Sequence, residues 1–381
     1  MKKTIAIVAA GSALSLSPAV FATNGDQMLG VTATQWGRAG AVIAQPEDAG
    51  TVLTNPAALA NLDIEEVRVD MGFGILNPPR KANGVDSDSD AYLIPSGALA
   101  LRVNPRLVFG MGMAGLSGMG VDFDDIRPTL AGNQTVVTTK QFYKIAPGFG
   151  FKVNDKLSLG AAFNLDYQSL AIHNNMFTLP QTQVYGWGGT FGLTYDINDK
   201  VRLGAAYATK QWMSEFEWNT TAGRYSMDMD APPTLTLGVA VKPMPGLVIE
   251  ADVKQIWFSD VLDRVSFNTP AGPSSMNFGW DDQTVFALGV TKQINKRMLV
   301  RAGYNYGESP IGPEDVDNNI GSLAITEHHL SLGLTRYFSD KVAGSLSYVH
   351  AFQNDITSST PSGNKIELEQ NIVNLQITYQ F

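Results

Sequence analysis

The sequence predicts an all-β protein, namely a 14-stranded antiparallel transmembrane β-barrel that holds an N-terminal helical plug. Each of six short polar turns lies between two segments in which apolar residues alternate with small or polar ones. Longer loops rich in Gly, Ser, Asn and Pro separate these hairpins. Such an up-and-down meander, continued to the C-terminal residue, is most simply a membrane-spanning barrel. The turns lie at residues 104–106, 154–156, 198–200, 243–246, 295–297 and 339–341.

The first 22 residues have the features of a signal peptide. Lys2 and Lys3 form a basic region, residues 5–16 an apolar stretch, and residues 20–22 (Val-Phe-Ala) resemble a signal-peptidase site. We therefore expect an exported chain whose mature form begins at Thr23. No later stretch approaches the roughly 18 consecutive apolar residues of a transmembrane helix.

The composition agrees with this class of protein. The chain contains no cysteine, so it has neither a disulfide nor a thiolate metal site, and we expect no metal and no cofactor. A formal net charge of −9 argues against nucleic acid as a partner, because that binding needs a basic surface. The near-zero mean hydropathy is what alternating lipid-facing and lumen-facing residues produce.

The alternating segments predict fourteen strands, an even number, as single-chain bacterial barrels require. Within each strand the apolar side chains must face lipid, which cannot form hydrogen bonds, and the polar ones must face the lumen. In the last strand, for example, Leu375 and Ile377 share one face, and Asn374 and Gln376 share the other. The strands are expected at residues 66–76, 92–103, 106–120, 140–152, 156–171, 184–197, 200–217, 225–242, 246–267, 280–294, 297–308, 324–338, 341–353 and 366–381.

Residues 23–65 break this pattern. They contain no alternating run but do contain helix-like pieces, and Asn55 followed by Pro56 is a good start for a helix. We therefore expect residues 23–65 to form a plug domain inside the barrel of residues 66–381. A disordered periplasmic extension is the alternative.

Three short motifs in this segment resemble the N-terminal hatch of the FadL/TodX family. They are Gly37-Arg38-Ala39-Gly40, Glu47-Asp48-Ala49, and residues 52–59 with their Asn55-Pro56-Ala57 element. Members of that family are outer-membrane channels for long-chain fatty acids and aromatic hydrocarbons. The resemblance implies a 14-stranded barrel in the outer membrane of a Gram-negative bacterium, a monomer in contact with membrane lipids and lipopolysaccharide, and passive uptake of a hydrophobic small molecule. The plug-motif residues are Gly37, Arg38, Asn55, Pro56 and Ala57.

The third predicted strand is unusually rich in glycine, which weakens β pairing and permits a bulge or kink. The family's kinked strand is also its third, and the resemblance implies lateral release of ligand through it. Alternatively, the glycines relieve crowding against the plug. They are Gly110, Gly112, Gly115, Gly118 and Gly120.

An acidic ligand of such a channel needs a cation at its head group. Strand parity places twelve charged side chains in the lumen, most of which we expect to be paired with each other or with the plug. Four cations among them are the candidates for head-group binding: Arg301, Lys254, Lys144 and Lys210.

The C-terminal Phe381 resembles the aromatic signature that the barrel-assembly machinery reads, so we expect it to serve assembly rather than transport. Two other functions are alternatives. A general diffusion porin would lack a plug. A lipid hydrolase would need a nucleophile beside a base, but the sequence has no Gly-x-Ser-x-Gly motif and adjacent His328 and His329 point to opposite faces of a strand. We expect the protein not to be an enzyme.

Overall fold

Fourteen antiparallel strands form one closed barrel. The structure is a computed structural model that describes residues 23–126 and 134–381, so the expected signal peptide lies outside the described residues. The barrel strands are β1 (Val67–Asn77), β2 (Tyr92–Asn104), β3 (Leu107–Ile126), β4 (Gln134–Lys152), β5 (Leu157–Asn174), β6 (Thr178–Asn198), β7 (Val201–Ala208), β8 (Thr234–Met244), β9 (Leu247–Ile256), β10 (Gln283–Asn295), β11 (Met298–Gly307), β12 (His328–Tyr337), β13 (Val342–Thr357) and β14 (Lys365–Gln380).

The barrel closes where the last strand meets the first. β14 pairs with β1 from Gln380↔Arg68 to Asn371↔Asn77, and every other strand pairs with its neighbours in sequence. The predicted fold class, a 14-stranded antiparallel barrel, is therefore confirmed. Across the described ranges, no helix combines the length and the apolar character that crossing a membrane requires.

All six predicted tight turns connect neighbouring barrel strands. In the first, Asn104 Oδ1 accepts hydrogen bonds from the backbone N–H groups of Arg106 and Leu107 at 2.9 and 3.0 Å. Asn154 and Asn198 repeat this arrangement. The side chain thus takes the place of a backbone turn acceptor, which is why Asn recurs at this position.

The predicted division of each strand into two faces is also observed. Ile377 and Leu332 are 66 % and 57 % exposed on the outer face, whereas Asn374 and Gln376 are buried on the inner face. Because one face must remain apolar, a register slip of one residue would place polar groups in hydrocarbon. The register is fixed by this requirement.

Three of the predicted strands are longer than the observed barrel strands, and the excess lies on the side opposite the tight turns. Parts of the predicted strands at 200–217, 225–242 and 246–267 leave the barrel and form a separate four-stranded sheet. Between them lie a short strand, Trp212–Met213, and a helix, α3 (Ser259–Leu262). The alternation of faces has the same period in any half-buried sheet, so it does not reveal where a strand leaves the barrel. The strands of the second sheet are Phe216–Thr220, Gly223–Met227, Arg264–Thr269 and Gly272–Asn277.

The N-terminal segment (residues 23–65) lies within the barrel, and nearly all of its side chains are buried up to Leu62. Thr32 caps its first helix by accepting a hydrogen bond from the N–H of Gln35. Its elements are two short strands, Thr23–Asn24 and Gln27–Met28, the helices α1 (Ala33–Trp36) and α2 (Thr51–Thr54), and a 3-10 helix, Pro56–Asn61.

The end of the barrel opposite the tight turns is closed by an apolar core. Phe216 and Trp218 from the second sheet join Phe258 and Trp280, and this core continues down to Phe142 on the inner face of β4. The hairpin of Arg80–Ala82 and Val85–Asp86 and a 3-10 helix, Val316–Asn318, lie at the same end. The interior at this end is apolar, whereas the inner face of the barrel nearer the tight turns is polar.

Candidate functional site

Two carboxylates on the inner face of β9 hold the N-terminal segment. Glu250 accepts hydrogen bonds from the Arg38 guanidinium at 3.0 Å and from the N–H of Ala44 at 2.6 Å. Asp252 accepts two more from the backbone N–H groups of residues 42–43, at 2.7 and 3.1 Å. Both carboxylates are buried, so these bonds replace the water that the charges have lost.

The Asn55-Pro56-Ala57 element ties the segment to the barrel wall. Asn55 Oδ1 accepts the N–H of Ala57 at 3.1 Å and so caps the 3-10 helix, which Pro56 begins. Asn55 Nδ2 donates to the carbonyl of Ile43 at 2.7 Å and to that of Leu193 in β6 at 3.2 Å. One side chain therefore starts a helix, crosslinks the segment internally and fixes it to β6.

Inward-facing glycines let the segment approach the wall at backbone distance. A Cβ atom on Gly150 would lie 2.6 Å from the backbone nitrogen of Ala60, and one on Gly289 would lie 2.9 Å from the Cβ of Arg38. Gly37, which belongs to the segment, also lies at backbone distance from the wall, because a Cβ atom on it would lie 3.0 Å from the Cα of Gly333. Only glycine fits between two backbones this close.

Asp70 on β1 joins the segment to both ends of the barrel sheet. Its carboxylate accepts the N–H of Ala49 at 2.8 Å and the guanidinium of Arg68 at 2.8 and 3.0 Å. From β14 it accepts the Gln376 amide at 2.9 Å and the Thr378 hydroxyl at 2.5 Å. This buried carboxylate therefore connects the N-terminal segment, the first strand and the last strand.

A cavity of about 130 Å³ lies between the segment and the wall. Leu29 and Leu53 of the segment and Leu116, Phe142 and Val285 of the barrel supply apolar surface. The polar part of the lining includes Lys144, Gln211, Asp252, Lys254 and Asn305.

Two of the four predicted head-group cations reach this cavity. Lys144 on β4 and Lys254 on β9 both line it. Lys144 lies across the β4–β5 ladder from Asp166, and neither lysine forms an ion pair within 4.0 Å with any part of the chain that the structure describes. The two cations therefore share one cavity without a bonded counter-charge.

The other two predicted cations are neutralised elsewhere. Arg301 pairs with Glu47 of the N-terminal segment at 2.6 Å and donates to the Thr335 hydroxyl at 2.7 Å. Lys210 pairs with Asp230 at 2.6 Å beyond the end of β7, with about a third of its side chain exposed. The structure does not bring Arg301 and Lys210 to the cavity.

The ladder between β2 and β3 begins at the tight turn and ends before the strands reach the opposite end of the barrel. Its last rung is Ser96↔Ala114, and the next residues of β2, 92–95, pair only with β1. β3 itself continues along β4, with Leu116 as an extra residue between the rungs at Gly115 and Ser117. This bulge turns β3 away from β2 at the point where their pairing stops.

The tip of the N-terminal segment lies beside this break. Gln27 bridges to Ser117, and the N–H of Gly118 donates to the carbonyl of Asp26 at 3.3 Å. The Asp26 carboxylate accepts from the Ser117 hydroxyl and from Lys140 at 2.6 Å. Above them, Arg80 donates to the carbonyl of Gly120. Backbone groups freed from the ladder thus find partners inside the barrel, as groups at membrane depth must.

The five glycines of β3 fall into two sets. Gly110 and Gly112 lie in an intact ladder, and Cβ atoms there would come within 2.7 Å of Leu59 and 2.8 Å of Leu53. Gly115, Gly118 and Gly120 lie beyond the last rung to β2. The crowding alternative therefore accounts for the first set, and the second set lies at the break.

The sequence reasoning did not single out Asp26 or Pro95. Pro95 lies in β2 immediately beyond its last rung to β3. Proline cannot donate to a ladder, so its presence inside a predicted central strand was a signal for an edge. Asp26 had no such signal, because its partner Lys140 is distant in sequence.

At the C-terminus, Phe381 lies at the outer surface, 54 % exposed, with its ring 4.5 Å from that of Tyr379. Its N–H donates to the carbonyl of Val67 at 2.9 Å. The residue lies at the turn side of the barrel and does not line the cavity.

On the opposite side, Asp317 connects two loops. It accepts hydrogen bonds from Thr360, Ser362 and Asn364 at 2.5, 2.6 and 2.8 Å. Partial burial alone would raise the pKa of Asp317, but the hydrogen bonds from Ser362 and Thr360 outweigh it and lower that pKa below its ordinary value. The ionised carboxylate is therefore part of the loop structure.

Comparisons with known proteins agree with this architecture. Residues 14–381 match the family described as outer membrane protein transport protein (OMPP1/FadL/TodX). No curated protein sequence matches the chain significantly.

Three solved structures illustrate the similarity in fold. The toluene transporter TodX of Pseudomonas putida superposes with a TM-score of 0.77 at 18 % identity, over 92 % of this chain and 99 % of that one. A FadL homologue from Pseudomonas aeruginosa gives 0.75 at 16 % identity, over 94 % and 100 %. The toluene transporter TbuX of Ralstonia pickettii gives 0.77 at 17 %, over 94 % and 99 %. At these identities the likeness establishes the fold.

Proposed function

The chain belongs to the outer membrane protein transport family of FadL and TodX, and we propose that it is a passive channel for hydrophobic molecules that carry an anionic head group. The membrane location and the class of transport protein follow from the family. The identity of the ligand and its route are our proposal.

The observation that carries the proposal is the pair Lys144 and Lys254 in a cavity that combines apolar side chains with polar ones, among them Asp252, to which neither lysine is bonded. A cation removed from water is costly unless a counter-charge or hydrogen bonds replace the water. A carboxylate bound between the two ammonium groups would supply that counter-charge, while its apolar body packs against Leu116 and Phe142. A long-chain fatty acid fits this chemistry.

An uncharged monoaromatic hydrocarbon is the second candidate, and cavity size favours it. The cavity of about 130 Å³ is close to the roughly 150 Å³ of an engineered apolar cavity that binds benzene. Two of the structural relatives are described as toluene transporters. The two candidates differ in whether the lysines contribute to binding.

The N-terminal segment acts in this proposal as a plug. Its backbone lies against the glycines of the wall, and Arg38 and Asn55 fix it there. An interior filled in this way suits capture of an apolar molecule better than diffusion of hydrated solutes. This favours the channel over a general diffusion porin.

Release is lateral in this proposal, at the break between β2 and β3. An apolar ligand gains nothing from entering water, so passing from the cavity into the bilayer is the favourable direction. Leu116, the bulged residue of β3, also lines the cavity and so lies between the cavity and the break. Movement of the segment tip at Asp26 would open this path.

Binding to the purified protein in detergent tests the head-group assignment. Lys144→Met and Lys254→Met should each lose roughly 1.5–3 kcal/mol of affinity for labelled laurate, or about 10- to 150-fold, and should leave toluene binding unchanged. Lys210→Met is the matched control, because Lys210 is paired outside the cavity. Unchanged laurate binding in both cavity variants would favour the hydrocarbon instead.

Uptake by intact cells tests the lateral route. Gly115→Leu should lower uptake of labelled oleate and toluene while the barrel still assembles. Gly97→Leu is the control, because a Cβ on this outward-facing residue of β2 has no closer neighbour than 3.9 Å. Wild-type uptake by an assembled Gly115→Leu protein would exclude release through β3.

A further inference from the structure

The lipid-facing surface carries an apolar groove of about 620 Å³ that crosses β3 to β6 and reaches residues 209–212, which follow β7. Small residues form its floor, among them Ala161, Gly189 and Thr209. Aromatic residues form its rim, and the rings of Trp187 and Trp212 lie 4.9 Å apart. Both indoles are about half exposed, so the groove opens toward the hydrocarbon of the bilayer.

The barrel wall is irregular directly behind this groove. Between the rungs Thr190↔Ala208 and Trp187↔Trp212, two residues of β6 face three residues, 209–211, on the β7 side. In the neighbouring pair of strands, β4 and β5, the ladder skips Ala146 and Pro147 between the rungs at Ile145 and Gly148. Proline has no N–H to give to such a ladder.

Side chains supplement a thinned ladder between β6 and β7, in which the N–H of Thr209 still donates to the carbonyl of Gly189 at 2.9 Å. The Thr209 hydroxyl accepts the N–H of Gly189 at 3.1 Å. The Gln211 amide donates to the carbonyl of Thr209, and its oxygen accepts from Asn164 Nδ2 at 2.9 Å. Asn164 donates also to the hydroxyl of Thr190 at 3.1 Å. A side-chain rotation breaks such bonds without unpairing a strand, and each contributes little net stability.

Gln211 is the side chain that separates the groove from the internal cavity. It lines the cavity together with Thr190 and Ala208. On the other side of the wall, Gly188 borders the groove, and a Cβ atom on Gly188 would overlap the Gln211 amide. Gln211 therefore occupies the space that a side chain at position 188 would need, and it is buried there.

We propose that Gln211 is a gate between the cavity and the groove, through which the transported hydrophobic molecule reaches the bilayer. This rests on the proposed transport function and adds a second exit to the one at β3. The apolar body of the ligand would pass from one apolar surface to another. A carboxylate head group would meet the neutral donors of Asn164, Thr190 and Gln211 on the way.

A reversible crosslink tests the gate. Because the chain has no cysteine, the pair Gly188→Cys and Gln211→Cys has only itself as a disulfide partner. The two positions follow the rung Trp187↔Trp212, and a Cβ at position 188 would overlap the Gln211 side chain, so we expect sulfur atoms at these positions to reach each other. Because the exit at β3 stays open, uptake of labelled toluene and oleate by cells carrying the oxidised protein should fall without being abolished, and reduction should restore it. Each single-cysteine variant is the control for loss of the native side chain.

Gly189→Trp tests the same route from outside. A Cβ at Gly189 would have its nearest neighbour, a ring atom of Phe191, at an ordinary 3.4 Å, so an added indole should fill the groove without moving the gate. Uptake should fall in this variant as well. Full uptake with a verified disulfide or with the filled groove would overturn the proposal, and the groove would then hold only lipid acyl chains.

The outcomes separate the gate from the proposed function. Laurate and toluene binding in detergent should be the same in the oxidised and the reduced form of the double-cysteine protein, because the two forms differ only in the crosslink and both keep Lys144 and Lys254. If uptake falls in Gly115→Leu but not in the crosslinked protein, the gate is excluded and the channel function stands. If the wild-type protein neither binds nor takes up either probe, the function itself fails.

Discussion

The backbone nitrogen of Ala57 occupies the position in which a side chain on Gly160 would begin. Ala57 belongs to the N-terminal segment and Gly160 to the inner face of β5, so two backbones meet here with no side chain between them. The segment is therefore fitted to the wall at atomic contact, and the wall has no room for it to settle differently.

Gly160→Val should expel the 3-10 helix from the wall, since its new side chain overlaps Ala57. We expect an assembled, heat-modifiable barrel with higher ion conductance than the wild type in planar bilayers. Gly97→Val is the matched control, because a Cβ there meets only the carbonyl of Asp70 at 3.9 Å. Wild-type conductance in a folded Gly160→Val protein would contradict the plug.

Glu250→Gln should loosen the segment near Arg38. It removes the 3.0 Å partner of a buried guanidinium but leaves Glu47 at 3.6 Å, so the cost should stay below the roughly 3–5 kcal/mol that is typical of breaking an isolated buried pair. We expect faster proteolysis of the segment and unchanged heat-modifiability. Glu217→Gln, which removes an exposed partner of Arg224, should cost no more than about 1 kcal/mol. Equal proteolysis rates in the two variants would show that the buried pair does not hold the segment.

Removal of Phe381 should lower the amount of assembled protein more than the uptake per assembled molecule. The residue is exposed at the turn side of the barrel and contacts Tyr379, away from the cavity. Assembly is measured as the heat-modifiable fraction in outer membranes, and uptake with labelled oleate. Normal assembly combined with lost uptake would show that Phe381 takes part in transport.

Acid should loosen the loops joined by Asp317. Its pKa in the folded protein lies below the ordinary value, so the ionised form stabilises the loops at neutral pH and this contribution is lost as the pH falls through the folded pKa. We expect hydrogen exchange in residues 309–327, corrected for intrinsic rates, to rise below about pH 4. Asp317→Asn should show the faster exchange already at pH 7. Protection that is insensitive both to acid and to Asp317→Asn would exclude this role.

The sequence predicted the barrel because one requirement governs every strand: apolar residues toward lipid and polar residues toward the lumen. It predicted the length of β7 less well, because the residues after Ala208 continue to alternate in a second sheet outside the barrel. The sequence also did not predict the bulges. One extra residue at Leu116, or three residues facing two near Thr209, changes a ladder without changing the composition of the strand.

The candidate site was predicted in part for a related reason. Parity indicates which cations point inward, but not which of them have a partner. Arg301 is neutralised by Glu47, which lies 254 residues away in the N-terminal segment. Within residues 23–126 and 134–381, Lys144 and Lys254 have no ion-pair partner within 4.0 Å, and only the folded arrangement distinguishes them from Arg301.

The carboxylate of Asp70 has a consequence for the order of assembly. Two of its donors, Gln376 and Thr378, lie in the last strand to be synthesised, more than 300 residues after it. A chain that stops before β14 therefore lacks both the seam of the barrel and half of the bonds that hold the acceptor for Ala49. The N-terminal segment is synthesised first, but its contacts with the barrel are complete only after β14 has paired with β1. The segment is therefore fully bound only in a chain that includes β14, and a prematurely terminated chain should hold its N-terminal segment more loosely.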